Sequence, residues 1–218
     1  MNINRVYDEF VFRLNKLGTN SNQNVQYPQF VSLINKAQLH WVEQRIKVKE
    51  QNQIRSEELQ RLLKDHEATP PRQENFYRLK LPVDYFRYER LYAPVKGCKS
   101  VVYGMFREEG NMNALLQNAH TKPSSAWEEV LVTVFDKSLR IYVDNFSLEK
   151  IHLKYFRLPT MVDIAGYLTN GKPSKNIDLE FEHVDAHEII DLAVQIATGD
   201  IQDPGRYQTI TRHIAEHN

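Results

Sequence analysis

The chain has 218 residues, 41% of them hydrophobic, 11% aromatic and 26% charged, with 28 basic against 28 acidic side chains. That composition excludes wholesale disorder and supplies enough chain for one good-sized core. A formal charge of zero argues against a partner gripped through its phosphates and suits a subunit that associates.

The N-terminal "MNINRVYDEFVFRLNKLG" carries charges throughout and lacks the apolar region of a signal peptide. In "VYDEFVFRLNKLG", Val6, Phe10, Leu14 and Leu17 recur every three or four residues, which predicts a helix stopped by Gly18. "TNSNQN" is a polar loop. "YPQFVSLINKAQLHWVEQRIKVKEQ" opens with a proline in the first turn, where the missing N–H costs nothing. Phe30, Ile34, Ala37, Trp41 and Gln44 line one face of that second helix. "SEELQRLLKDHEA" predicts a third, with Ser56 as N-cap and Leu59, Leu62 and Leu63 as its apolar side. The prolines of "TPPRQ" stop it.

From residue 75 the period changes to two. "NFYRLKLPVDYFRYERLYAPV" alternates apolar and charged residues, and "SVVYGMFREEGN" reads as a strand closed by a Gly-Asn turn. "WEEVLVTVFDKSLRIYVDN" predicts two strands joined by a tight turn at Asp136-Lys137-Ser138. In "LEKIHLKYFRLPTMV", Ile151, Leu153, Tyr155 and Arg157 share one strand face, His152, Lys154 and Phe156 the other, and Pro159 ends the pairing. Tyr155 and Phe156 are expected to pack on opposite faces, with Arg157 in a local pair. "VDAHEIIDLAVQIATGD" predicts a helix capped by Asp185, with Glu188 completing an Asp-type capping box. Ile189, Leu192, Ala193 and Ile196 form its apolar face, and Gly199 closes it. "DPGRYQTITRHIAEHN" predicts a final helix with Tyr207, Ile210 and Ile214 on one side. The expected class is α+β: N-terminal helices over 1–70, a central antiparallel sheet or sandwich over 75–162, and C-terminal helices over 163–218, as one compact unit.

Chemistry-bearing motifs are sparse. "HVDAHE" gathers His183, Asp185, His187 and Glu188, but a cap at Asp185 leaves His183 outside the helix, so the two histidines need not share a face. Cys98, in "VKGCKS", is the single cysteine. It excludes an intrachain disulfide and a cysteine-rich zinc site and fits a reducing compartment. Glycine-rich phosphate loops, the serine elbow and the His-Glu-x-x-His pattern do not occur. No stretch approaches the roughly 18 apolar residues of a membrane span. The aromatic-basic segment "YFRYERLY" (85–92) is either an amphipathic strand or a stacking platform for single-stranded nucleic acid. The expectation is a protein that is not an enzyme, with no catalytic residue, no cofactor and no metal. A nucleic-acid-binding accessory protein is the alternative, and an enzyme built on Cys98 or on His183 and His187 a third reading.

The order of segments resembles the head-to-tail connector proteins of tailed bacteriophages. "PQFVSLINKAQLHWVEQRI" is similar to their early helix with a mid-helix Asn-x-Ala/Gln element. "FYRLKLPVDYFRYERLYA" resembles their Leu-Pro-x-Asp-Tyr strand entry, and "LLQNAHTKPSSAWEE" their Asn-x-x-x-x-Pro-Ser loop. "KYFRLPTMVDI" resembles their Tyr-x-Arg-x-Pro strand end, and "LEFEHVDAHEIIDLAVQIATGDIQDPGRYQ" their closing turn and helix. The nearest likeness is to the adaptor, or ring, proteins of crAss-like phages, over roughly residues 25 to 210. The resemblance implies a virion structural protein of the neck, made in the host cytoplasm, that forms a homo-oligomeric ring, commonly twelvefold. It implies a place below the portal, with the portal and tail or neck ring proteins as partners and DNA passing through the lumen without sequence-specific binding. Tyr207, Ile210 and Ile214 are the expected partner-docking residues.

Overall fold

The computed structural model describes residues 1–17, 24–52, 57–169 and 171–202. In chain order the elements are α1 (Ile3–Leu17), α2 (Tyr27–Asn52), a 3-10 turn (Glu57–Leu62), β1 (Leu63–Ala68), β2 (Arg72–Gln73), β3 (Phe76–Lys80), β4 (Tyr85–Pro94) and β5 (Val101–Phe106). After a short 3-10 turn come α3 (Met112–Gln117), β6 (Glu129–Phe135), β7 (Ser138–Tyr142), β8 (Ile151–Arg157), β9 (Leu168–Thr169), β10 (Lys172–Pro173) and α4 (His183–Gln202). The class is α+β, as expected. Residues 61–158 form one compact unit, and the chain on either side of them forms the other. Helices expected as separate N- and C-terminal parts therefore belong to one unit.

In the helical unit, the predicted stripes of α1 and α2 are buried except at Gln44, which is exposed, while the side chain of Leu17 lies outside the described residues. Val6, Phe10 and Leu14 of α1, and Phe30, Ile34, Ala37 and Trp41 of α2, are all within 2% of complete burial. α4 packs against both α1 and α2. Tyr7 sits edge-on to Tyr27 and Phe30, and Trp41 sits edge-on to Phe181. Such offset aromatic pairs add to the burial of apolar area. α4 begins at His183, two residues before the expected cap, so Asp185 lies inside the first turn and is buried. Gly199 does not close the helix, which runs on to Gln202. The predicted stop at Gly18, the cap at Ser56 and the final helix with Tyr207, Ile210 and Ile214 lie outside the described residues. Residues 163–177, expected within a helical part, instead form a small hairpin arm of β9 and β10 with an Asp163–Ile177 bridge beneath it.

The other unit is an eight-stranded sheet ordered β1-β8-β4-β5-β6-β7-β3-β2. Its inner face holds a core of Leu91, Val102, Val132, Ile141, Leu153 and Tyr155 with their neighbours. Against the expectation of an antiparallel sheet, β5 and β6 run parallel. The connection through α3 and residues 118–128 supplies the crossover that a parallel pair needs. The expected Gly-Asn turn at 110–111 is the opening of that crossover. β6 and β7 form the predicted hairpin around Asp136 and Lys137, with φ +45° and +53°, the two left-handed positions of a type I′ turn.

The third predicted helix is overturned. Only Glu57–Leu62 is helical, as a 3-10 turn that buries Leu59 and Leu62; the turn's three-residue period suits that spacing. Leu63–Ala68 is strand β1, paired antiparallel with β8 from Leu63↔Phe156 to Ala68↔Ile151. A six-residue ladder on an open sheet edge outweighs the helix propensity of "LKDHEA".

Candidate functional site

The segments singled out in the sequence meet in pairs, one pair in each unit. In the sheet unit, Asp84 of "LPVDY" reaches Tyr155 of "KYFRLP". The Tyr155 hydroxyl donates to Asp84 Oδ1 at 2.8 Å, and Lys64 Nζ of β1 donates to Asp84 Oδ2 at 2.6 Å. Tyr85 stacks on Tyr155 with centroids 5.7 Å apart, and the Leu158 N–H donates to Asp84 O. Three strands, β1, β4 and β8, are thereby tied at one end. The Lys64 hydrogen bond, helped by the Tyr155 hydroxyl, holds the Asp84 carboxyl below its usual range. Burial, together with the bond to Asp84, pushes the Tyr155 phenol up to about 12.

These shifts fix two pH windows. Asp84, with a depressed folded value, stabilises the fold above the ordinary carboxylate pKa of about 4, and that contribution goes as pH falls through the lower folded value. Tyr155, with a raised value, stabilises fully below the ordinary phenol pKa of about 10, and that contribution goes as pH rises towards about 12. Asp84 is partly exposed, so the pair is worth only about 1 kcal/mol. Urea unfolding of wild type and Tyr155→Phe should therefore differ at pH 8, with the difference shrinking above pH 10 and closing near pH 12. A difference that does not change with pH would remove Asp84 from the account.

In the helical unit, "INKAQ" of α2 holds "PTMV". Asn35 Nδ2 donates to Val162 O at 3.0 Å, while Asn35 Oδ1 accepts from Val162 N–H at 2.9 Å. One amide thus pairs with both backbone groups of Val162, as a neighbouring strand would. Gln38, fully buried, donates from Nε2 to Thr160 O at 3.1 Å and to Asn35 Oδ1 at 2.9 Å. Farther along α2, Trp41 Nε1 and Arg45 both donate to Glu188 Oε2, at 2.7 and 2.6 Å. Arg45 also pairs with Glu58 at 3.1 Å. Glu188, expected in a capping box, is instead the cross-link between α2 and α4.

His183 and His187 both lie within α4, four residues apart, contrary to the expectation that His183 precedes the helix. His187 Nδ1 faces Arg13 at 2.8 Å and Glu9 at 2.9 Å, and Arg13 continues to Asp191 at 2.6 Å. Among the described residues no group of three His, Cys, Asp or Glu side chains is placed to hold a metal. Cys98 is exposed on the turn after Gly97, and its thiol lies below its usual value chiefly through the Ser100 hydroxyl, 3.2 Å away.

The aromatic-basic strand divides between two environments. Tyr85 and Tyr88 pack on the inner core, and the Tyr88 hydroxyl donates to Gly104 O at 2.9 Å. Burial pushes that phenol well above its usual value. Outside, Tyr92 lies flat on His152, with centroids 4.6 Å apart, and the Arg90 guanidinium covers Tyr103 at 4.8 Å. A base would have to displace a side chain to stack on either ring. Tyr155 belongs to the inner core cluster and Phe156, also buried, lies outside it, as the alternation on β8 predicts. Arg157 donates to the carbonyl of its neighbour Leu158 and also to that of Arg61, 96 residues earlier in the chain, so its contacts are not all local as expected.

Sequence reasoning missed the roles of Asn35, Gln38 and Asp84. The signal for the first two was present: two amides inside the most buried stretch of an apolar helix face. No helix among the described residues is long and apolar enough to cross a membrane. Neither the models of known protein families nor the curated proteins give a match to this sequence.

Proposed function

We propose that this chain is a virion structural protein: a subunit of a head-to-tail connector ring, of the adaptor type, below the portal of a tailed bacteriophage. One observation carries the reading. The segments that resemble the connector family are far apart in sequence yet pair in the fold: "LPVDY" with "KYFRLP" through Asp84 and Tyr155, and "INKAQ" with "PTMV" through Asn35 and Gln38. Their polar groups hold strands and helices in place, which is the work such segments do in a scaffold. In this reading DNA passes through the lumen of a homo-oligomer, commonly of twelve copies, and neighbouring rings of the neck complete its contacts. The protein acts without cofactor or metal.

The test is the mass of the purified chain, alone and mixed with a portal ring. Binding in a fixed multiple supports the reading, and indifference to the portal overturns it. Deleting residues 204–218, which carry Tyr207, Ile210 and Ile214, should abolish portal binding and leave the melting temperature unchanged. Retained binding would remove those three residues as the docking element.

A further inference from the structure

Two loops of the sheet unit, each held by its own hydrogen bonds, enclose a cleft. The first, residues 118–129, runs into β6. Asn118 O accepts from the N–H groups of Thr121 and Lys122, and two backbone hydrogen bonds join Ser124 to Glu129. The second, residues 143–148, follows β7. Arg72 clamps it, donating to Asp144 O at 2.9 Å, Phe146 O at 3.0 Å and Ser147 Oγ at 3.1 Å. The cleft between them has a volume of about 380 Å³, with Lys122, Ser125, Trp127, Asp144 and Asn145 in its lining.

The lining combines one open aromatic ring with neutral, polar surroundings. Trp127 is 58% exposed. Lys122 and Asp144 are the only charged residues of the lining, and they pair at 2.8 Å, so the wall carries no net charge. Among the described residues, both hydrogen bonds to the Asp144 side chain, from Lys122 and from Asn145, fall on Oδ2. Oδ1 is left as an acceptor beside an ammonium group that keeps N–H donors beyond the one given to Asp144. Ser125 adds a hydroxyl.

We infer that this cleft binds a neutral pyranose sugar. The indole ring takes the apolar face of the sugar, where its C–H bonds lie. The adjacent acceptor of Asp144 and donor of Lys122 match two neighbouring hydroxyls. Other ligand classes find no partner here. A nucleotide or other polyanion meets a lining with no surplus cation. An extended peptide needs main-chain partners, and the carbonyls of Asp144 and Phe146 are already taken by Arg72. A purely apolar ligand would strip water from Lys122, Asp144 and Asn145 and put nothing in its place. A sugar replaces that water with its own hydroxyls. Because both loops are fixed beforehand, little ordering is left for binding to supply. The inference stands apart from the ring reading and does not need it.

The experiment uses the full chain, with the methyl glycosides of glucose, galactose and mannose and with N-acetylglucosamine as probes. The chain has two tryptophans and Trp41 is 2% exposed, so iodide quenching of the fluorescence reads Trp127. At least one sugar should shift the emission saturably in the millimolar range and protect Trp127 from iodide. Saturation-transfer NMR should show signal on that sugar's ring protons. Trp127→Ala, at an exposed position, should abolish the transfer and leave the melting temperature unchanged. Asp144→Asn keeps the shape of the side chain and should weaken binding about tenfold by removing the charged acceptor. Adenosine and a proline-rich peptide serve as competing probes. No saturable response to any of the sugars, binding of adenosine or the peptide alone, or sugar binding that survives Trp127→Ala would each overturn the site. None of these outcomes touches the portal measurement, so the two readings fail separately.

Discussion

Gly104→Ala should lower the stability of the sheet unit by about 2–3 kcal/mol, near the upper part of the range for overpacking a filled core. A Cβ built on Gly104 would come within 2.8 Å of the Tyr88 hydroxyl, 2.8 Å of Val132 Cγ2 and 2.9 Å of Leu91 Cβ. Real Cβ atoms do not approach neighbours so closely, and two of the three obstacles belong to buried residues of adjoining strands. The expected thermal shift is a fall of about 5–10 °C. The obstacles can be told apart. Tyr88→Phe removes the hydroxyl and its hydrogen bond to Gly104 O, a loss of about 1 kcal/mol by itself. In the Gly104→Ala background the same change should cost less, because it also relieves a clash, and a double-mutant cycle reads the difference. Strict additivity would show that the strain sits wholly on Leu91 and Val132. A Gly104→Ala protein as stable as wild type would sink the argument.

Asn35→Ala should cost the helical unit about 2–4 kcal/mol, the penalty for leaving both the N–H and the C=O of Val162 without their partner. Val162 is 1% exposed, so water does not readily replace the lost amide. Asn35→Asp separates the two halves of the interaction. It keeps the acceptor for the Val162 N–H, loses the donor to Val162 O and sets a negative charge against that carbonyl. At neutral pH it should be no more stable than Asn35→Ala, and it should recover as the aspartate protonates. Chemical denaturation at pH 7 and near pH 4 gives both values. If Asn35→Ala costs less than about 0.5 kcal/mol, the amide does not hold the chain after Pro159.

The parts of the fold that were legible are those whose signal is local. The helix stripes of Phe10 and Leu14, and of Phe30, Ile34 and Trp41, depend on spacing alone, and they are buried. The hairpin at Asp136 and Lys137 depends on two short alternating runs and the residues between them. The misses share another cause: each was decided by a partner distant in sequence. β1 is a strand because β8 offers it an edge. Glu188 serves Trp41 and Arg45, over 140 residues earlier in the chain, so its spacing from Asp185 meant nothing for capping. The parallel β5–β6 pair had one readable sign, the length of the connection between Phe106 and Glu129, too long for a hairpin. Of the candidate site, the segments were legible and their pairing was not. Asp84 looks like any acid at a strand entry until Tyr155 and Lys64 stand beside it.

The sheet unit is inserted between the two stretches of chain that make up the helical unit, and its outermost pairing, Leu63 with Phe156, lies at the neck of that insertion. This has a consequence for the order of folding. On a nascent chain, α1 and α2 emerge long before α4, the helix both must pack against. Bringing them together across an open loop the length of residues 61–158 would carry an entropy cost of about 4–5 kcal/mol. Once β1 zips onto β8, residues 63 and 156 are strand neighbours and most of that cost has already been met by the sheet's own hydrogen bonds. The sheet should fold first and act as the clasp that lets the helices assemble. In refolding, amides of β4 and β8 should gain protection from exchange before those of α1.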